Sequence, residues 1–175
     1  MTTITISGLP GTGKTTVAKL LEKRLGLRYV YSGEIFRTMA KKSKMSLEEF
    51  GKYCETHQEI DEKLDQYQLG ILRKGNVIVE GRISGWLAYQ NHITAVKVLL
   101  EADINVRAGR IVKREQGDIE KRKKEVRKRE KSEATRYKKY YGIDIRDTSI
   151  YDVIIDASDK TPEDIMEIII QHLRV

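Results

Sequence analysis

Apolar residues recur along the 175-residue chain with two different periods. Residues 2–7 alternate β-branched and polar side chains, which predicts a short strand. Val17, Leu20, Leu21 and Leu25 then fall at helical spacing and the run stops at Gly26, so a helix spans 15–25. Residues 27–31 read as a second strand, and 32–74 are helical in pattern almost throughout. Ser46 with Glu49 three positions on makes a capping box for one of those helices. Val77, Ile78 and Val79 centre a strand at 76–80, apolar on both faces, and 95–100 reads as another. In 104–115, Ile104, Ala108, Ile111 and Val112 share one helix face, while Arg107, Arg110 and Arg114 recur at i, i+3 and i+7 on a different one. Residues 151–156 predict a last strand. Thr161, Pro162 and Asp164 open a last helix with proline at its first position.

This order of elements predicts an α/β fold: a parallel β-sheet flanked by helices, with two small helical insertions. The expected core takes residues 1–31, 76–117 and 142–175, with the insertions at 32–75 and 118–141. No internal repeat or disordered linker interrupts it.

Composition narrows the classes. Hydrophobic residues make up 39% of the chain, enough for one domain with small appended lobes. The single cysteine, Cys54, excludes an internal disulfide, and His57, His92 and His172 show no metal-ligand spacing. No run approaches the roughly 18 apolar residues of a membrane span, so a cytoplasmic protein with no membrane partner is expected. The net charge of +7 is concentrated: residues 118–141 hold eleven Lys/Arg against five Asp/Glu. Such a segment implies an anionic partner, either the phosphates of a small ligand or nucleic acid.

The chemistry is signalled between the first strand and the first helix. Gly8, Leu9, Pro10, Gly11, Thr12, Gly13, Lys14 and Thr15 fit the P-loop pattern, glycine, four residues, then Gly-Lys-Ser/Thr. Glycines let backbone N–H groups converge on phosphate oxygens, and the helix N-terminus adds partial positive charge. Lys14 is placed to reach the β- and γ-phosphates, and the Thr15 hydroxyl to coordinate Mg²⁺. Thr16 completes the expected ATP-binding set. Glu80, closing the 76–80 strand, is the second metal candidate, holding Mg²⁺ through water.

These residues resemble the nucleoside monophosphate kinases, and the likeness spans nearly the whole chain. Besides the P-loop, Ser32, Gly33, Glu34, Ile35, Phe36 and Arg37 look like the opening of that family's monophosphate-binding lobe (32–75), where an arginine holds the acceptor phosphate. Glu80, Gly81 and Arg82 look like the Asp-Gly-Arg of cytidylate kinases. Arg129, Glu133 and Arg136 keep the spacing of the bacterial cytidylate kinase lid, with Glu at both Asp positions, and the stretch from Tyr141 to Asp156 looks like the archaeal cytidylate kinase branch. The resemblance implies a P-loop NTPase fold with a lid at 118–141. It implies ATP and Mg²⁺ as co-substrate and cofactor, and CMP (with dCMP) as acceptor, giving CDP and ADP.

By the same resemblance Arg107 stacks on the adenine, and Arg110 and Arg114 touch the donor phosphates. Arg129 and Arg136 close over the reacting groups with Lys14 and Arg82. Ser32, Gly33, Arg37, Gly81, Arg82, Arg129, Glu133 and Arg136 hold the monophosphate. A monomer is expected, with no nucleic-acid partner. The chain departs from the bacterial pattern at Ile83, where those enzymes carry a cytosine-reading Asp, and it leaves little room for their extra insert in the acceptor lobe. Trp86, Tyr137, Tyr140 and Tyr141 read as packing residues. The residues also admit AMP or UMP as acceptor. Two further readings are an adenylate-kinase-like ATPase that binds RNA or the ribosome through residues 121–139, and a small-metabolite kinase acting on a substrate such as shikimate. Arg37 and Arg82 weigh against the last.

Overall fold

The structure is a computed structural model that describes residues 2–173; the expected core limits at residues 1 and 175 lie outside them. Five parallel strands form one sheet in the order β2-β3-β1-β4-β5. They are β1 (Thr3–Gly8), β2 (Arg28–Tyr31), β3 (Val77–Glu80), β4 (Val96–Glu101) and β5 (Val153–Asp156). β1 lies at the centre, with Ile4 opposite Ile78 on one side and Val96 on the other. Parallel strands need crossovers, and helices supply them. α1 (Lys14–Leu25) joins β1 to β2, α5 (Ser84–Gln90) joins β3 to β4, and α8 (Pro162–Leu173) follows β5.

Strand alternation divides the core. Ile4, Ile6, Ile78, Val98 and Leu100 face α1 and α8, where Val17, Leu21, Ile165 and Ile169 cover them. Val77 and Val79 face the opposite way and pack with Leu69, Leu72, Trp86, Leu87, Tyr137 and Ile143. Trp86 and Tyr137 are thus packing residues, as expected.

The segment between β2 and β3 forms three helices: α2 (Ser32–Lys42), α3 (Leu47–Cys54) and α4 (Gln58–Lys74). They share a small core of their own around Phe36, Ala40, Phe50 and Cys54. Ser46 caps α3 with the full reciprocal box to Glu49. α6 (Ile104–Glu115) is followed by α7 (Ile119–Tyr141), a single 23-residue helix that takes up the whole basic stretch. α7 packs on α6 and α3, and the Tyr140 hydroxyl donates to the Cys54 carbonyl at 2.7 Å. The pattern of the chain did not reveal α5, which is only seven residues long and buried over most of its length.

Ile78 is fully buried between α1 and its neighbouring strands. Ile78→Ala is expected to lower unfolding free energy by about 2–5 kcal/mol. A urea titration with an unchanged m-value checks this.

Candidate active site

In open α/β sheets ligands bind beyond the carboxyl ends of the strands. Here that edge carries the P-loop after β1, the Glu80–Arg82 turn after β3, and α7 lying across both. The P-loop conformation depends on glycine at two points. Gly8 has φ +149° and Gly11 φ +83°, and a Cβ would come within 2.4 Å of the Leu100 carbonyl at the first and 2.6 Å of the Arg107 carbonyl at the second. α1 begins with no side-chain cap and no acidic residue in its first turn, which leaves its N-terminus electropositive.

A cleft of about 810 Å³ opens over this loop. Gly11, Thr12, Gly13, Lys14, Thr15 and Thr16 line it, together with Arg37, Glu80, Arg82, Arg110, Arg114 and Arg129. The Lys14 ammonium donates to the Leu9 carbonyl at 2.9 Å. Burial, reinforced by Arg82, holds its pKa well below the ordinary lysine value. At the base of the cleft the Thr15 hydroxyl donates to Glu80 Oε1 at 3.1 Å, and the Tyr29 hydroxyl donates to the other carboxylate oxygen. Burial and the Glu80 charge push the Tyr29 phenol up, so it stays a donor.

Arg82 is tied in by Glu133, which reaches down from α7. Arg82 Nε donates to Glu133 Oε2 at 2.8 Å, Arg129 Nε donates to Oε1 at 3.0 Å, and Arg82 also donates to the Gly8 carbonyl at 3.2 Å. Burial alone would raise the Glu133 pKa; Arg82, Arg129 and Arg136 together hold it below the usual value. Ser32 donates to the Glu80 carbonyl at 2.8 Å, which brings the start of α2 against the end of β3. Gly33 and Gly81 sit at the same corner.

One arginine stands elsewhere than expected. Arg107 does not face the cleft. Its guanidinium is turned inward, donating to the Ala102 carbonyl at 3.0 Å and the Pro10 carbonyl at 3.3 Å and pairing with Glu130. Stacking on an adenine would require giving up these acceptors. Arg136 is 2% exposed and lines one crevice with Ser32, Gly33, Gly81, Arg82, Arg129 and Glu133. It donates to both oxygens of Asp61 at 2.9 and 3.0 Å, with the Phe36 and Tyr137 rings 5.4 and 5.7 Å away. Arg110 bridges the Thr12 and Ala157 carbonyls at 3.3 and 2.6 Å. Arg114 is half exposed and pairs with Glu115.

Arg122 and Lys160 also line the cleft and were missed among so many basic residues. Asp61, Asp65 and Gln68 of α4 are buried as well. Their signal in the chain is a spacing of i, i+4 and i+7 that continues to the buried Leu72, placing polar groups on an apolar stripe.

The sequence pattern of the cytidylate kinase-like family matches residues 3–159. The chain belongs to that family. Cytidylate kinase of Methanocaldococcus jannaschii is 47% identical over 95% of this chain and 94% of its own length. That of Pyrococcus horikoshii is 46% identical over 97% and 88%. Among solved structures, shikimate kinase from Bacteroides thetaiotaomicron has the same fold, with a TM-score of 0.63 at 14% identity over 99% of each chain.

A family member that uses ATP needs a place for a hard cation. Among the described residues no group of three or more His, Cys, Asp or Glu could hold a metal alone. Thr15 and Glu80 nevertheless supply two oxygen donors side by side, a set that fits Mg²⁺ completed by phosphate and water, and not a thiolate-seeking metal.

Burial pushes the Asp65 carboxyl up to about 7, against the usual 3.8. A carboxyl with a raised folded pKa binds more protons folded than unfolded, so its neutral form stabilises the fold. That stability is lost as pH climbs from about 4 to about 7. Asp65→Asn keeps an oxygen for Gln68 and removes the charge. It is expected to melt roughly 5 °C above the wild type at pH 8 and level with it at pH 4, as thermal scans at the two pH values would show.

Proposed function

We propose that the protein transfers the γ-phosphoryl group of ATP to CMP, giving CDP and ADP. The reading rests on one observation: Lys14 of the P-loop shares one cleft with Arg37, Arg82 and Arg129, the last two joined through Glu133. One cationic centre suits a triphosphate and the other a second phosphorylated molecule. Family membership at 47% identity to a cytidylate kinase supports CMP as that molecule.

A phosphate oxygen of CMP attacks the γ-phosphorus, and the bond from that phosphorus to the bridging oxygen of ADP breaks. No general base is needed, because the attacking phosphate is already anionic near neutral pH. Charge spreads over the moving group in a loose transition state, so positioned cations do the catalytic work. Burial disfavours the Lys14 charge, and a triphosphate beside it would offset that cost. Arg37, Arg82 and Arg129 align the acceptor phosphate, and Arg110 and Arg114 flank the donor. Thr15 and, through water, Glu80 would hold Mg²⁺, which would supply charge neutralisation of the ATP phosphates. Residues 32–75 act as the acceptor lobe. Residues 118–141 act as a lid that excludes water and so limits hydrolysis of ATP.

Lys14→Ala is expected to leave the fold intact and to cut kcat by about 10³-fold or more, since it removes a cation held against the transferred charge. A coupled assay for ADP, run with CMP, UMP, AMP and shikimate in turn, checks both parts of the reading. A Lys14→Ala enzyme with wild-type turnover, or a wild-type enzyme that turns over AMP far faster than CMP, would refute it.

A further inference from the structure

The P-loop presents its backbone in one sense: side chains take its carbonyls, and its amides are left open. The Leu9 carbonyl accepts from the Lys14 ammonium at 2.9 Å and from the Thr12 hydroxyl at 3.1 Å. The Pro10 carbonyl accepts from Arg107 at 3.3 Å, and the Thr12 carbonyl from Arg110 at 3.3 Å. Among the described residues, no backbone carbonyl takes the N–H of Gly11, Gly13, Lys14 or Thr15. All four of those residues line the cleft. Across a trans peptide the C=O and the N–H point opposite ways. A donor that holds the Pro10 carbonyl on one side therefore turns the Gly11 amide to the other.

Arg107 grips that one peptide with both its backbone and its side chain. Its own carbonyl is the atom that a Cβ at Gly11 would strike at 2.6 Å, so α6 lies directly against the loop there. Its guanidinium then joins three parts of the fold. Besides the Pro10 carbonyl, it donates to the Ala102 carbonyl just beyond β4 and pairs with Glu130 of α7. Arg107 is 6% exposed and is not among the residues lining the cleft. A buried guanidinium without an anion beside it is costly, so Glu130 decides where this one can stand. The docking of α7 on α6 thereby reaches the phosphate loop.

We propose that Arg107 is a positioning residue of the P-loop: anchored by Glu130, it holds the Pro10–Gly11 peptide so that the Gly11 amide faces the donor phosphates, and it makes no contact with the donor base. The inference rests on the kinase reading above, which supplies the triphosphate. Amides already aimed at a phosphate need no reorganisation when it arrives. A loop released at Pro10 has to be ordered by the ligand, and affinity falls by that cost. The effect passes through the loop, so it is the same for any ligand carrying the phosphates, whatever base it bears. Glu130 gives a second consequence. By charge alone, an anion at this place weakens the binding of other anions. As the anchor of Arg107 it strengthens that binding. If Arg107 acts through the loop, the second effect prevails.

The test measures Kd by calorimetry for ATP and for inorganic tripolyphosphate, which has no base, both with Mg²⁺. The proteins are the wild type, Arg107→Met and Glu130→Gln, each checked for its fold by circular dichroism. Arg107→Met is expected to weaken both ligands by about tenfold, with the two factors equal to within about twofold. Glu130→Gln is expected to weaken both by about threefold, although it removes a negative charge. An Arg107→Met protein that loses affinity for ATP and binds tripolyphosphate as the wild type does overturns the assignment, because Arg107 then meets the base. A Glu130→Gln protein that binds both ligands more tightly also overturns it, because the freed guanidinium then touches the phosphates. Wild-type affinity for tripolyphosphate in either folded variant overturns it as well and leaves the kinase reading intact. Should Arg107→Met fail to fold, Glu130→Gln decides alone. A wild-type protein that binds neither ligand overturns the kinase reading together with this one.

Discussion

One buried carboxylate makes this site possible. Glu133 is 3% exposed and stands between Arg82 and Arg129, accepting from both. Through Arg82, which also reaches the Gly8 carbonyl, it joins α7 to the ends of β1 and β3. Without that anion, Lys14, Arg82 and Arg129 would crowd a poorly hydrated space as like charges. Removing one partner of such a buried group costs about 3–5 kcal/mol, since the remaining charges are left uncompensated. Glu133 offsets only part of the cationic excess, however. Lys14 still has a depressed pKa, through burial first and then through Arg82 and Arg129. The fold is held together by the anion it contains and stays receptive to the anions it lacks.

The corner formed by Thr15, Tyr29 and Glu80 follows the same logic. Glu80 is 2% exposed, and both of its oxygens are taken by hydroxyls, from Thr15 and Tyr29. Neutral donors satisfy its lone pairs without the charge compensation that an arginine in their place would bring. Both carboxylate oxygens are thereby held in fixed orientation at the base of the cleft.

Much of this was legible in the chain because its cause is local. The P-loop is a contiguous string, the Ser46–Glu49 cap spans four residues, and the central strands are marked by their own alternation. Arg129, Glu133 and Arg136 share a helix side because of their spacing alone. Their partners were not legible, because partners come from folding: Asp61 lies 75 residues from Arg136, and Glu80 lies 65 from Thr15. Arg107 shows the limit well. Its periodicity puts it with Arg110 and Arg114, yet the carbonyls of Ala102 and Pro10 draw its guanidinium inward. α5 was hidden for a different reason. A short segment buried on several sides shows no amphipathic period to read.

The length of α7 has its own consequence. Its 23 residues run without a break, so at 1.5 Å per residue Arg122 and Arg136 stand about 21 Å apart on one stiff rod. Arg122, near its start, lines the wall of the cleft over the P-loop, and Arg136, near its end, is locked to α4 through Asp61. A rod cannot tilt at one end alone. The cleft over the P-loop and the crevice beside α4 are thus mechanically in series, and a shift of the rod at one is registered at the other.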